Sequence, residues 1–127
     1  MIYTGSCHCG KVQFEVEAPR NIECLECNCS ICAKSGFLHL IVPRSKFTLL
    51  KGQDELATYT FDSGEAKHLF CKTCGIKSFY IPRSNPDGYD INVRCLSPAP
   101  AKLKIRLFDG RNWEKHAHEL SHLSKNN

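Results

Sequence analysis

No apolar run in this sequence approaches the ~18 residues that a membrane-crossing helix needs, so a chain that works in water is expected. The opening residues, Met1-Ile2-Tyr3-Thr4-Gly5-Ser6-Cys7, hold neither the basic nor the apolar segment of a secretory signal. A reducing, intracellular setting follows as the expectation, cytoplasmic or nuclear. No Lys/Arg block is long enough to track a phosphate backbone, which argues against nucleic acid as a partner. There is no internal repeat beyond similar cysteine pairs, and the one biased stretch is a polar tail, Ser124 to Asn127. At 127 residues the chain fits a single domain, residues 1–127, with room for a modest core that a bound metal would help to stiffen.

What the sequence has in excess is cysteine. Nine in so short a chain imply either disulfides or metal, and the odd count with tight spacings favours metal. Seven of them fall in three groups: Cys7-His8-Cys9, Cys27-Asn28-Cys29-Ser30-Ile31-Cys32 and Cys71-Lys72-Thr73-Cys74. Thiolates are soft, strong zinc ligands. A structural zinc closes its tetrahedron with four protein ligands, whereas a zinc that does chemistry keeps one position free. Gly10 and Gly75 follow the first and last groups, where a tight turn needs a residue without a side chain. The middle group lacks such a glycine. Cys7, Cys9, Cys71 and Cys74 therefore group as one closed site, and Cys27, Cys29 and Cys32 as a second site with a place to spare. Two zinc ions per chain are expected. Seven ionised thiols and two dications would bring the formal charge of +4 down to about +1, which removes most of the apparent basicity.

The rest of the chain reads mainly as strands. Val12, Phe14 and Val16 alternate with polar residues before Ala18-Pro19, the period of a half-buried strand. Ile22 to Glu26 is expected to be extended and to deliver Cys27 and Cys29 to one side, with a turn bringing in Cys32. Leu38 to Val42, Phe47 to Leu50, Leu56 to Phe61, Ala66 to Cys71, Ile76 to Ile81, Tyr89 to Cys95 and Lys104 to Phe108 complete a meander bounded by Pro and Gly. The Cys71/Cys74 pair is expected at a hairpin tip. A short C-terminal helix from about Asn112 to Leu123, with Asn112 as N-cap, places Trp113, Ala117 and Leu120 on one face. Within it, His118-Glu119-Leu120-Ser121-His122 matches the zinc-protease pattern H-E-x-x-H. Both histidines lie off the apolar stripe and lack a third ligand, so they read as a solvated face.

With these residues in view, the chain resembles the glutathione-dependent formaldehyde-activating enzyme family, which includes the domain of centromere protein V. The resemblance runs nearly the full length: Gly5-Ser6-Cys7-His8-Cys9-Gly10, Cys27-Asn28-Cys29-Ser30-Ile31-Cys32, His68-Leu69-Phe70-Cys71-Lys72-Thr73-Cys74-Gly75, Asn92-Val93-Arg94-Cys95 and Phe108-Asp109-Gly110-Arg111-Asn112-Trp113. It implies a mainly β, Mss4-like (β-tent) antiparallel fold with a zinc-ribbon-like site. It also implies a structural zinc on Cys7, Cys9, Cys71 and Cys74, and a catalytic zinc on Cys27, Cys29 and Cys32. The implied activity is that of a carbon–sulfur lyase forming or cleaving the adduct of glutathione and formaldehyde.

Other residues stay open at this level. His39 and His68 are candidate proton carriers, and histidines beside strands also serve as packing residues. Lys34, Arg44, Arg83, Arg94 and Arg111 are candidate partners for the carboxylates of glutathione. The alternative to an enzyme is a non-catalytic zinc module that docks a protein or chromatin. In that case Glu26, His39 or Cys24 would close the second site. A third possibility is a thiol sensor built from Cys27, Cys29 and Cys32. Cys24 and Cys95, outside the seven, read as small buried hydrophobes.

Overall fold

The computed structural model describes residues 1–125. The alternation seen in the sequence becomes a hairpin of β1 (Ile2–Ser6) and β2 (Gln13–Glu17), with Val12, Phe14 and Val16 buried. β5 (Phe47–Lys51) pairs with β2 and the short β10 (Leu96–Ser97) with β1, giving a four-stranded sheet in the order β10-β1-β2-β5. Phe14 stacks on Phe47 with ring centroids 5.3 Å apart and meets Phe79 edge-on at 5.5 Å. Gly5 sits opposite Phe14 in the register, and a Cβ there would lie 2.1 Å from the ring, so only glycine lets the ring lie across the strand.

A five-stranded sheet in the order β11-β3-β4-β9-β8 faces this core. It comprises β3 (Asn21–Cys27), β4 (Leu38–Pro43), β8 (Phe79–Tyr80), β9 (Gly88–Asn92) and β11 (Lys102–Phe108). All its pairings are antiparallel except β11 with β3, so the expected meander is broken by one crossover strand. β6 (Leu56–Tyr59) and β7 (His68–Cys71) form a separate two-stranded ribbon. The strands around Cys71 and Cys74 diverge, β7 to β6 and β8 to β9. A bridge between Lys67 and Ile81 ties their base, so the hairpin expected there is a loose one.

Three expectations shift. Cys29 does not lie on an extended strand: β3 ends at Cys27, and a helix α1 (Ser30–Ser35) takes the place of the expected turn. It stops at Gly36, whose φ of 68° is the left-handed conformation that glycine adopts without strain. The strand expected to reach Cys95 ends at Asn92, because the Asn92 side chain accepts from the Arg94 amide at 3.1 Å and starts a 3-10 turn over Val93–Cys95. The C-terminal helix is one α-turn, α2 (Trp113–His116), followed by 3-10 helix over Ala117–Ser124. Asn112 does not cap it and donates instead to Asp109 Oδ2 at 2.7 Å.

That segment is held by burial. Leu120 packs with Leu25, Ile41 and Phe108 in a second, smaller core, and buried Asn85 donates to the Leu120 carbonyl and to Ser124 Oγ, both at 2.9 Å. Ser124, expected in a polar tail, is thus buried, while Asn126 and Asn127 lie outside the described residues. No helix among the described residues is long and apolar enough to cross a membrane.

Candidate metal centres and the cavity beside them

Two turns bring the first four cysteines together. In the β1–β2 connection the Gly10 amide donates to the Cys7 carbonyl at 3.4 Å, and after β7 the Gly75 amide donates to the Cys71 carbonyl at 2.8 Å. Both glycines have positive φ, 81° and 78°, as the sequence reading requires. The ligand atoms of Cys7, Cys9, Cys71 and Cys74 all lie within 4.8 Å of one another. Cys9 Sγ is 3.7 Å from both Cys7 Sγ and Cys71 Sγ. Tetrahedral zinc–sulfur bonds of ~2.3 Å require sulfur–sulfur edges of about 3.8 Å, so this donor set fits a closed metal site.

Cys27, Cys29 and Cys32 form the other cluster, again within 4.8 Å of one another. Cys27 ends β3, Cys29 occupies the cap position of α1 with extended φ and ψ, and Cys32 is buried inside that helix. The glycine missing from the local sequence comes from a distant one. Gly110 presses on the cluster so closely that a Cβ there would be 2.3 Å from Cys27 Sγ. Its turn is latched by Asn28, which accepts from the Arg111 amide at 3.0 Å and donates to Asp109 at 3.1 Å. Without a cation the three thiols cannot all ionise. Hydrogen bonds from Cys27, then Cys32, pull Cys29 down to about 2, while the thiols of Cys27 and Cys32 are pushed up chiefly by their neighbours in the cluster. A bound cation reverses that balance by favouring every thiolate. Among the described residues, no histidine or carboxylate comes within 4.8 Å of all three sulfurs, so the cluster offers three ligands.

A cavity of about 530 Å³ opens beside this cluster, within the usual range for small-molecule sites. Leu25, Ile41, Phe108 and Trp113 give it apolar walls, and His39, His68, Asp90, Arg83 and Arg111 give it polar ones. Arg83 stacks over Trp113 at 3.9 Å and pairs with Glu114 at 2.9 Å and Glu65 at 3.3 Å. Lys77 donates to His68 Nδ1 at 2.6 Å. Burial, and then the Lys77 ammonium, lower the His68 ring to about 4. Desolvation also lowers Lys77, which rests 3.8 Å from the centroid of Tyr80. The Tyr80 hydroxyl is pushed well up by burial and by Asp90.

The structure thus sorts the sequence candidates. Arg83 and Arg111 line the cavity, whereas Arg94 binds the Gly36 carbonyl, Arg44 binds the Pro86 carbonyl beside a separate groove, and Lys34 is exposed on α1. Cys24 belongs to the main core and Glu26 is exposed, and neither reaches the three sulfurs. Cys95 is half-buried outside both clusters. His118 and His122 are exposed and join no metal-ligand group among the described residues. Asp90, Tyr80, Asn28 and Gly110 were not singled out from sequence. Asp90 carries a faint signal, a carboxylate between apolar positions of a strand; the other roles exist only in three dimensions.

Residues 2–108 match the model of the family described as glutathione-dependent formaldehyde-activating enzyme. A Halomonas elongata protein provisionally named as such an enzyme is 49% identical over 36 residues, which span 28% of this chain and 23% of that protein. A crystal structure of a Rhodobacter sphaeroides protein superposes with a TM-score of 0.71 at 33% identity, covering 81% of this chain and 99% of the other. The family match extends from β1 to the end of β11 and so takes in all seven clustered cysteines. On that span, the chain belongs to the glutathione-dependent formaldehyde-activating enzyme family.

Proposed function

We propose that residues 1–127 work as one zinc-binding domain and act as a carbon–sulfur lyase on a glutathione–aldehyde adduct of the S-hydroxymethylglutathione type. The observation that carries the reading is a three-thiol cluster that opens onto a cavity and has no fourth ligand among the described residues. Cys7, Cys9, Cys71 and Cys74 hold a structural zinc that pins the β1–β2 turn to the turn after β7. Cys27, Cys29 and Cys32 hold the second. A zinc held by these three cysteines would supply Lewis-acid chemistry, stabilising a thiolate or polarising an aldehyde oxygen. The chain does the rest: Arg83 and Arg111 offer cationic donors to the carboxylates of glutathione, and the apolar walls exclude water from the reacting carbon.

The test is metal analysis with calorimetric binding of glutathione to wild type and Cys29→Ser. Two zincs in the wild type, one in the variant, and glutathione binding that disappears with the second zinc are expected. A fully loaded wild type that ignores glutathione would sink the reading. One feature favours a protein-docking function instead: the edge strand β11 leaves Leu103, Ile105 and Leu107 exposed, the last at 80%. Glutathione indifference together with retained zinc would turn attention there.

A further inference from the structure

Buried polar atoms are nearly always partnered, and among the described residues two side-chain atoms are not: His39 Nε2 and Asp90 Oδ1 find no partner. Both belong to one buried pair, with His39 Nδ1 2.6 Å from Asp90 Oδ2, and both residues line the cavity that holds Cys27, Cys29 and Cys32. The pairing is built by the sheet. β4 and β9 run antiparallel with His39 opposite Asn92 and Ile41 opposite Asp90, so His39 and Asp90 meet on a diagonal of one face. Phe37, with its ring centroid 4.6 Å away, and Tyr80 at 6.0 Å wall the imidazole in.

This arrangement has a direction. A carboxylate accepts, so Nδ1 carries the hydrogen and the lone pair of Nε2 is left unpaired. His68 is arranged the opposite way, since its Nδ1 lone pair is already taken by Lys77 and its ring is held neutral by burial. Nor is His39 a fourth metal ligand: zinc bound by three sulfurs and a nitrogen needs nitrogen–sulfur edges of about 3.5 Å, and His39 does not reach within 4.8 Å of all three sulfurs.

We propose that His39 exchanges a proton at Nε2 with the adduct's oxygen, and that Asp90 is the positioning residue that fixes its ring; this rests on the lyase reading above. In cleavage Nε2 takes the hydroxyl proton, the O–H pair becomes the second carbon–oxygen bond, and the C–S pair leaves on sulfur as thiolate. In addition the sulfur attacks the carbonyl carbon, and the π pair on oxygen takes the proton back from Nε2. No further reactant is required.

Zinc-loaded wild type, His39→Ala and His39→Gln are compared for the rate of S-hydroxymethylglutathione formation and breakdown, zinc content and glutathione affinity. Both variants should lose on the order of 10²–10⁴-fold in rate while keeping zinc and affinity, and added imidazole should restore the alanine variant but not the glutamine one. Retained rate, or a loss that imidazole leaves untouched, overturns the assignment. An independent readout uses wild type alone. The ring-nitrogen NMR spectrum should show the Nδ1–H form, with the Nε2 signal moved by S-hydroxymethylglutathione and not by S-methylglutathione. A wild type that fails to turn over defeats the lyase reading. In that event an Nε2 response still supports contact between His39 and the hydroxyl, and a silent Nε2 overturns it.

Discussion

Gly110→Ala should strip metal from one site and leave the other intact. The methyl group would be placed 2.3 Å from Cys27 Sγ and 3.1 Å from Cys29 Cβ, where ordinary contacts are ~3.5–4.0 Å. Either the sulfur or the turn must therefore yield by more than ~1 Å, against a tolerance of roughly 0.2 Å in metal–ligand distances. The turn cannot simply retreat. Asn28 holds it through Asp109 and through the Arg111 amide, and Arg111 Nε donates back to the Asn28 carbonyl at 3.1 Å. Each such bond contributes about 0.5–1.5 kcal/mol, so displacing Cys27 is the easier outcome. Zinc content after dialysis against a mild chelator should fall from two per chain to one, with an overpacking cost of about 1–3 kcal/mol in the thermal melt. Gly64→Ala is the control. Its Cβ meets nothing within 4 Å, and its φ of 73° costs only ~1–2 kcal/mol, so it should destabilise without losing zinc. Two zincs retained by Gly110→Ala under the same dialysis would refute the reasoning.

Cys71→Ser should be far more damaging than Cys29→Ser, because Cys71 is buried in the main core and its site joins two hairpins. Loss of soluble, cooperatively melting protein is expected for Cys71→Ser and a folded, one-zinc protein for Cys29→Ser; equal melting temperatures for the two would contradict the division into structural and open sites. The His68 ring gives a pH signature. Burial, then Lys77, hold it at about 4 in the folded chain, below its ordinary 6.5, so between those values the unfolded chain binds more protons and stability falls as pH falls. That loss amounts to at most about 3 kcal/mol. Urea midpoints at pH 7 and 4.5 in excess zinc should therefore separate more in wild type than in His68→Gln, and identical separations would show that the ring plays no part.

The partition of seven cysteines was legible in the sequence because its signal is local. A C-x-C or C-x-x-C followed by glycine dictates a tight turn whatever surrounds it, and Gly10 and Gly75 adopt the positive φ that this demands. Strand alternation was legible for the same reason at Val12, Phe14 and Val16. Helix α1 was missed because its six residues are too few to display a 3.6-residue period, and Cys29 ended up capping it rather than sitting on β3. The short C-terminal helix was legible, with one face burying Leu120, but its character was not: beyond His116 it runs as 3-10 turns, which Asn85 and Asp87, from a loop earlier in the chain, pin through Leu120 and Ser124. The partners of Asp90 and Gly110 were beyond reach, since only the register of β4 and β9, or the parallel β3–β11 pairing, brings them near.

The difference between the two clusters follows from where their sulfurs originate. In the four-cysteine cluster two turns, one after β1 and one after β7, each contribute a pair of thiols, and four donors suffice for a closed tetrahedral site. The other three thiols come from one strand–helix junction and approach from a single side, so the far side is decided by whatever the sheet places there. A histidine stands in that cavity, bonded to a carboxylate at 2.6 Å, and it does not come within 4.8 Å of all three sulfurs. That one hydrogen bond occupies Nδ1 and leaves Nε2 without a protein partner among the described residues, the arrangement that the proposed proton exchange would use. A sheet that shifted His39 toward the cysteines would offer three sulfurs and a nitrogen, a donor set that closes a zinc site, and would remove the open position on which the proposed lyase reading depends.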